Sequence, residues 1–107
     1  MISKIKKVGA DILFHAITKH NIHDAIALLD ENEVDVNERN INGMTPLHYA
    51  VESQSQVMIE TLLKYGADAN LQENEEIGQN TPVHRAVEKD MHDIVDLFIQ
   101  VGADLSL

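Results

Sequence analysis

The sequence predicts an all-α fold, a short α-solenoid of three stacked helix–turn–helix units joined by extended β-turn loops. Three observations lead to it. Thr45-Pro46-Leu47-His48-Tyr49-Ala50 returns 36 residues later as Thr81-Pro82-Val83-His84-Arg85-Ala86. Twelve residues beyond Ala50 and Ala86 stand the apolar pairs Leu62-Leu63 and Phe98-Ile99, and the same step from Ala16 reaches Leu28-Leu29. Each unit also closes alike, Gly66-Ala67-Asp68-Ala69-Asn70 matching Gly102-Ala103-Asp104-Leu105-Ser106.

The first copy is degraded. Its opening, Asp11-Ile12-Leu13-Phe14-His15-Ala16, lacks the Thr, the Pro and the motif His. It closes on Asn32-Glu33-Val34-Asp35-Val36-Asn37, one residue longer, and Asn is the next-best residue after Gly for a left-handed helix stop. In the other copies Thr45 and Thr81 are good N-caps, and each is followed by Pro at the first helical position, where a missing N–H costs nothing. First helices are expected over about 46–53 and 82–89, with polar breaks at Ser53-Gln54-Ser55 and Lys89-Asp90. Second helices come next, over about 56–64 and 92–100, and stop at Gly66 and Gly102.

Met58, Ile59, Leu62 and Leu63 stand at helical spacing, as do Ile94, Val95, Phe98 and Ile99. A single helix pair cannot enclose such a face, so stacked copies must bury it in a continuous core. The whole chain is expected to form one domain, with units near 10–43, 44–79 and 80–107. Lys4, Lys6, Lys7 and the polar run Thr18 to Asn21 are expected to finish the front of the stack. At the back, Met91, Leu97, Phe98, Ile99, Val101, Leu105 and Leu107 are more apolar than a solvated end requires.

The Thr-Pro-Leu-His-x-Ala hexapeptide, with the spacing of its apolar pairs and closing turns, resembles the ankyrin repeat family. The resemblance covers roughly residues 10 to 107. Two departures stand out. The step from the second copy to the third is stretched by three residues within Gln72 to Asn80, and the last copy stops inside its closing turn. The resemblance implies that His48 and His84 link their Thr to a neighbouring turn by hydrogen bonds. It also implies a concave binding face made of turn tips and first helices. Carried onto this sequence, the first tip is Glu38 to Met44, with Arg39, Ile41, Asn42 and Met44 pointing outward and Gly43 as the turn glycine. The second tip is the longer Gln72 to Asn80, bearing Glu73, Glu75, Glu76 and Ile77. Tyr49, Glu52, Arg85 and Glu88 would line the adjoining helices, with His15 at the corresponding place in the first unit. Tyr49 is the expected aromatic anchor.

Composition narrows the function. Eight basic residues against 18 acidic ones give a net charge of −10, which disfavours nucleic acid and anionic membranes and favours basic partners. The chain has no cysteine, so thiolate chemistry, disulfides and zinc–sulfur sites are unavailable. His20 and His23 stand three apart without a third ligand at a useful spacing and read as a polar turn. No ordered Ser, His and Asp set and no phosphate-cradling glycine loop is visible, so neither catalysis nor a cofactor is expected. Asp11 and His15 interrupt the start before a signal-type apolar stretch forms, and a cytoplasmic location is expected, in its own cell or in a host's cytosol.

The expected function is a non-catalytic protein–protein interaction module that grips a basic protein. A narrower version is an antidote, immunity or inhibitor protein that neutralises a basic toxin or enzyme. A secreted effector mimicking host repeat proteins is neither supported nor opposed by the residues. A different class of function is a structural unit that forms a homo-oligomer through its apolar C-terminal end.

Overall fold

The computed structural model describes residues 12–31, 34–41, 43–75 and 78–103. Six helices run through them: α1 (12–18), α2 (Ile22–Asp30), α3 (Pro46–Glu52), α4 (Gln56–Lys64), α5 (Pro82–Glu88) and α6 (His92–Gln100). Among the described residues there is no strand, and no helix is long and apolar enough to cross a membrane. Lys4, Lys6, Lys7, Leu105 and Leu107, expected at the two ends of the stack, lie outside the described residues.

The helices form three antiparallel pairs in two layers. α3 packs on its partner α4 and on α5 of the next unit, α5 packs on α6, and α2 packs on α4. The turn inside each pair repeats to the residue. His20, Gln54 and Asp90 each adopt a left-handed backbone, with φ of 59°, 56° and 56°. The N–H of the following residue then donates to the carbonyl of Ala16, Ala50 or Ala86. This shared geometry makes the degraded first copy a true member of the series. His20 and His23 are both exposed on this turn and the start of α2.

The caps explain where the helices begin. Thr45 Oγ1 accepts from His48 N–H, and His48 Nδ1 accepts in return from Thr45 N–H at 3.0 Å. Thr81 and His84 repeat the arrangement at 3.1 Å. Asn21 and Ser55 cap α2 and α4 through their side chains, whereas Met91 gives α6 no side-chain cap.

The core runs continuously along the stack through Leu13, Ile17, Leu29, Leu47, Val51, Met58, Ile59, Leu62, Val83, Ile94 and Phe98. Leu63 and Val95 are half-buried, while Ile99 is exposed.

Neighbouring units are also tied through polar groups. Asn37 donates to the Gly66 carbonyl at 3.4 Å and accepts from Asp68 N–H at 2.8 Å. Asn70 donates to the Gly102 carbonyl at 3.4 Å. The Tyr65 hydroxyl donates to Asp30, a bond that raises its pKa above the ordinary tyrosine value.

Candidate binding face at the turn tips

The first tip is a tight, hydrogen-bonded turn. Asn40 N–H donates to the Met44 carbonyl at 3.0 Å, Met44 N–H to Asn40 Oδ1 at 3.0 Å and Gly43 N–H to the Asn40 carbonyl at 2.9 Å. Gly43 has φ of +76°, and a Cβ there would stand 2.8 Å from the backbone nitrogen of Asn74. Only glycine combines that backbone with that approach.

The second tip is anchored, not slack. Glu73 N–H donates to the Asn80 carbonyl at 3.0 Å, and Gln79 N–H to the Asn74 carbonyl at 3.2 Å. The Glu73 side chain is fully buried. Arg85 grips its carboxylate in a fork, Nη2 reaching Oε1 at 2.9 Å and Oε2 at 2.8 Å while Nε reaches Oε2 at 3.2 Å. Asn80 Nδ2 donates to Glu73 Oε1 at 3.1 Å. Arg85 also pairs with Glu52 at 3.3 Å, and Glu52 with Lys89 at 3.2 Å. Burial works against the guanidinium charge, but the bonds to Glu73 and the nearby Glu52 and Glu88 outweigh it and hold the Arg85 pKa above its ordinary value.

The two tips use one design with exchanged chemistry. In the first, the Asn40 amide donates to the Tyr49 hydroxyl at 2.6 Å. In the second, Glu73 and Arg85 make the equivalent tie from tip to first helix. The two tips are then joined: Arg39 Nη1 donates to the Gln72 carbonyl at 3.2 Å and Asn74 Nδ2 to the Ile41 carbonyl at 3.0 Å.

His48 completes the frame. It is fully buried, and because Nδ1 accepts from Thr45 N–H, the proton sits on Nε2, which donates to the Asn80 carbonyl at 2.9 Å. Burial lowers its pKa below 6.5, outweighing the opposite pull of that carbonyl. The imidazole is therefore held neutral.

These ties correct two of the expectations and refine two others. Met44 does not point outward; it is 9% exposed, because closing the turn on Asn40 brings it into the core immediately before the Thr45 cap. Glu73 is not a surface carboxylate; it is 3% exposed and its charge is satisfied by Arg85. Tyr49 is half-buried, with its hydroxyl engaged by Asn40 and its ring edge against Phe14 at 4.9 Å between centroids. Arg85 and Glu52 are partly exposed but bound to each other. Arg39, Ile41, Glu75 and Glu88 remain outward, with His15 exposed on α1. Asn42, Glu76 and Ile77 lie outside the described residues. Arg85 itself was the signal for the Glu73 tie: an arginine where the preceding unit has tyrosine calls for an acceptor at the neighbouring tip.

The acidic residues are shared between the two layers. α2, α4 and α6 carry Asp24, Asp30, Glu60, Asp93 and Asp96 against Lys64 alone. The first helices and tips carry Glu38, Glu52, Glu73, Glu75 and Glu88 against Arg39, Arg85 and Lys89.

A model of three ankyrin repeats matches residues 13–107. The chain belongs to the ankyrin repeat family. Its six helices form a short ankyrin solenoid, and ankyrin repeats in general mediate protein–protein interaction. The chain is 38% identical over 63 residues to an ankyrin repeat protein of Acanthamoeba polyphaga mimivirus, covering 59% of this chain and 32% of that protein. It is 33% identical over 69 residues to an ankyrin repeat protein of Fowlpox virus (strain NVSL), covering 61% of this chain and 10% of that protein. The chain thus matches about a third or less of each of these relatives' length.

Proposed function

We propose that this ankyrin domain is a non-catalytic binding module that holds a protein partner against its tips and first helices, with Ile41 as the apolar anchor. The observation that carries this reading is the state of Ile41. It is 92% exposed, yet its backbone carbonyl is held by Asn74 and its turn is closed by Asn40, Gly43 and Met44. A large apolar side chain on a pre-ordered turn can enter a partner's pocket with little further loss of backbone freedom. Tyr49 is bonded to Asn40 of the same turn, and its ring packs on Phe14. Among the described residues Glu75 and Glu88 are exposed carboxylates of this face, and with the net charge of −10 they would hasten encounter with a basic partner.

The test compares two exposed aliphatics on opposite layers of the stack. Ile41→Asp is expected to weaken capture of the partner retained by the wild-type protein by about tenfold or more, the loss of a central anchor. Val57→Asp, which alters a 60% exposed position on α4, is expected to leave it unchanged. Equal capture by Ile41→Asp and wild type would remove the tips from the binding face. Raising the salt concentration should also weaken capture if the partner is basic.

A further inference from the structure

The two tips are one turn built at two lengths. Asn40 N–H donates to the Met44 carbonyl as Glu73 N–H donates to the Asn80 carbonyl. Glu73 therefore stands at the place of Asn40, and Asn74 at the place of Ile41. Three residues lie inside the closing pair of the first tip and six inside that of the second. The equivalent residues are used in opposite ways. Ile41 turns its side chain to solvent, 92% exposed. Asn74 is half-buried and turns its amide back to the first tip, where Nδ2 donates to the Ile41 carbonyl at 3.0 Å.

Asn74 is itself held from several sides. Its carbonyl accepts from Gln79 N–H at 3.2 Å, across the added residues. The residue before it, Glu73, is locked by Arg85 in the buried ion pair. Its backbone nitrogen would lie 2.8 Å from a Cβ on Gly43, so the glycine lets the two tips touch. Arg39 adds a second tie between the tips through the Gln72 carbonyl at 3.2 Å. The first tip's own bonds fall on Asn40, Gly43 and Met44. Among the described residues, the bond that reaches the peptide groups of Ile41 comes from Asn74.

We propose that Asn74 is the positioning residue of the Ile41 anchor, and that the longer second tip is the splint of the first. This rests on the reading of Ile41 as the residue that enters the partner. Fixing its peptide before a partner arrives leaves less backbone freedom to lose on binding. Support then runs from Arg85 on α5 through Glu73 and Asn74 to Ile41, so the third unit sets the anchor of the first tip.

Nitrogen-15 relaxation of the free protein tests this without a partner, so it can fail while the binding reading stands. The order parameter of the Ile41 amide is expected at about 0.85 in wild type and below about 0.6 in Asn74→Ala. Asn74→Asp, which keeps the shape but has no N–H to give, is expected to lower it likewise. The amides of α3, α4 and α5 should stay at about 0.85 in both variants. An Ile41 amide as ordered in both variants as in wild type would overturn the proposal. So would an Ile41 amide already below about 0.6 in wild type. Order lost equally over α3 and α5 would also overturn it, because Asn74 would then support the fold and not the anchor. Failure of the binding reading shows separately, as equal partner capture by Ile41→Asp and wild type.

Discussion

Arg85→Ala is expected to destabilise the fold by about 3–5 kcal/mol, because it leaves the Glu73 carboxylate buried without its counter-charge. Glu73 has no solvent access, and after the substitution its side chain would keep only the amide of Asn80 at 3.1 Å. The second tip would then lose the tie to α5, and the Asn80 carbonyl that serves both Glu73 and His48 would lose its fixed position. Lys89→Ala provides the contrast. Its partner Glu52 is part-exposed and still paired with Arg85, so the cost should be about 1 kcal/mol or less. Replacing Glu73 and Arg85 together by Met should land nearer wild type than Arg85→Ala alone, since no buried charge is then stranded. Urea unfolding followed by circular dichroism measures all three. A loss below about 1 kcal/mol for Arg85→Ala would mean that the second tip does not depend on the pair.

His48→Ala is expected to cost about 3 kcal/mol, combining a cavity with stranded polar groups. The imidazole is buried and joins Thr45 to Asn80, so its loss frees the helix cap and the link to the third repeat together. His84→Ala removes the same side chain from a half-buried site where the described residues give it bonds to Thr81 alone, and about 1 kcal/mol is expected there. Equal losses in the two variants would show that the inter-repeat bond contributes nothing.

The same residue gives the pH dependence. The folded protein holds His48 neutral, with a pKa lowered from 6.5 by burial, whereas the unfolded chain takes up a proton as pH drops through that value. The unfolded state then binds more protons, so stability falls with falling pH. This contribution is fully present above 6.5, is lost on the way down to the folded-state pKa, and is constant below it. His48→Gln should show a flatter profile over that window in the same urea titrations.

How far the sequence revealed these features depended on whether the signal was local. Thr45-Pro46 and Thr81-Pro82 set the starts of α3 and α5 through cap bonds to the third residue of each helix. Both first helices end one residue earlier than expected, at Glu52 and Glu88, and both second helices keep their expected limits. The left-handed stops at Gly66 and Gly102 were legible for the same reason. The fate of Glu73 was not local. Its partner lies twelve residues away, and the three extra residues stand between Glu73 and Asn80, so counting back from Thr81 hides that Glu73 holds the place of Asn40. Met44 was misplaced because a motif assigns a residue to a turn without saying which way the closed turn directs it. The charge of −10 gave the sign of the surface but not its distribution over two helix layers.

Ankyrin recognition by the tips has a direct readout in amide hydrogen exchange of the domain with its captured partner bound. Exchange should slow at the amides of residues 38–44 and 72–80 and at the first turns of α3 and α5, with little change over α2, α4 and α6. Protection confined to those second helices, which carry Asp24, Asp30, Glu60, Asp93 and Asp96, would contradict binding through the tips and place the partner on the opposite layer.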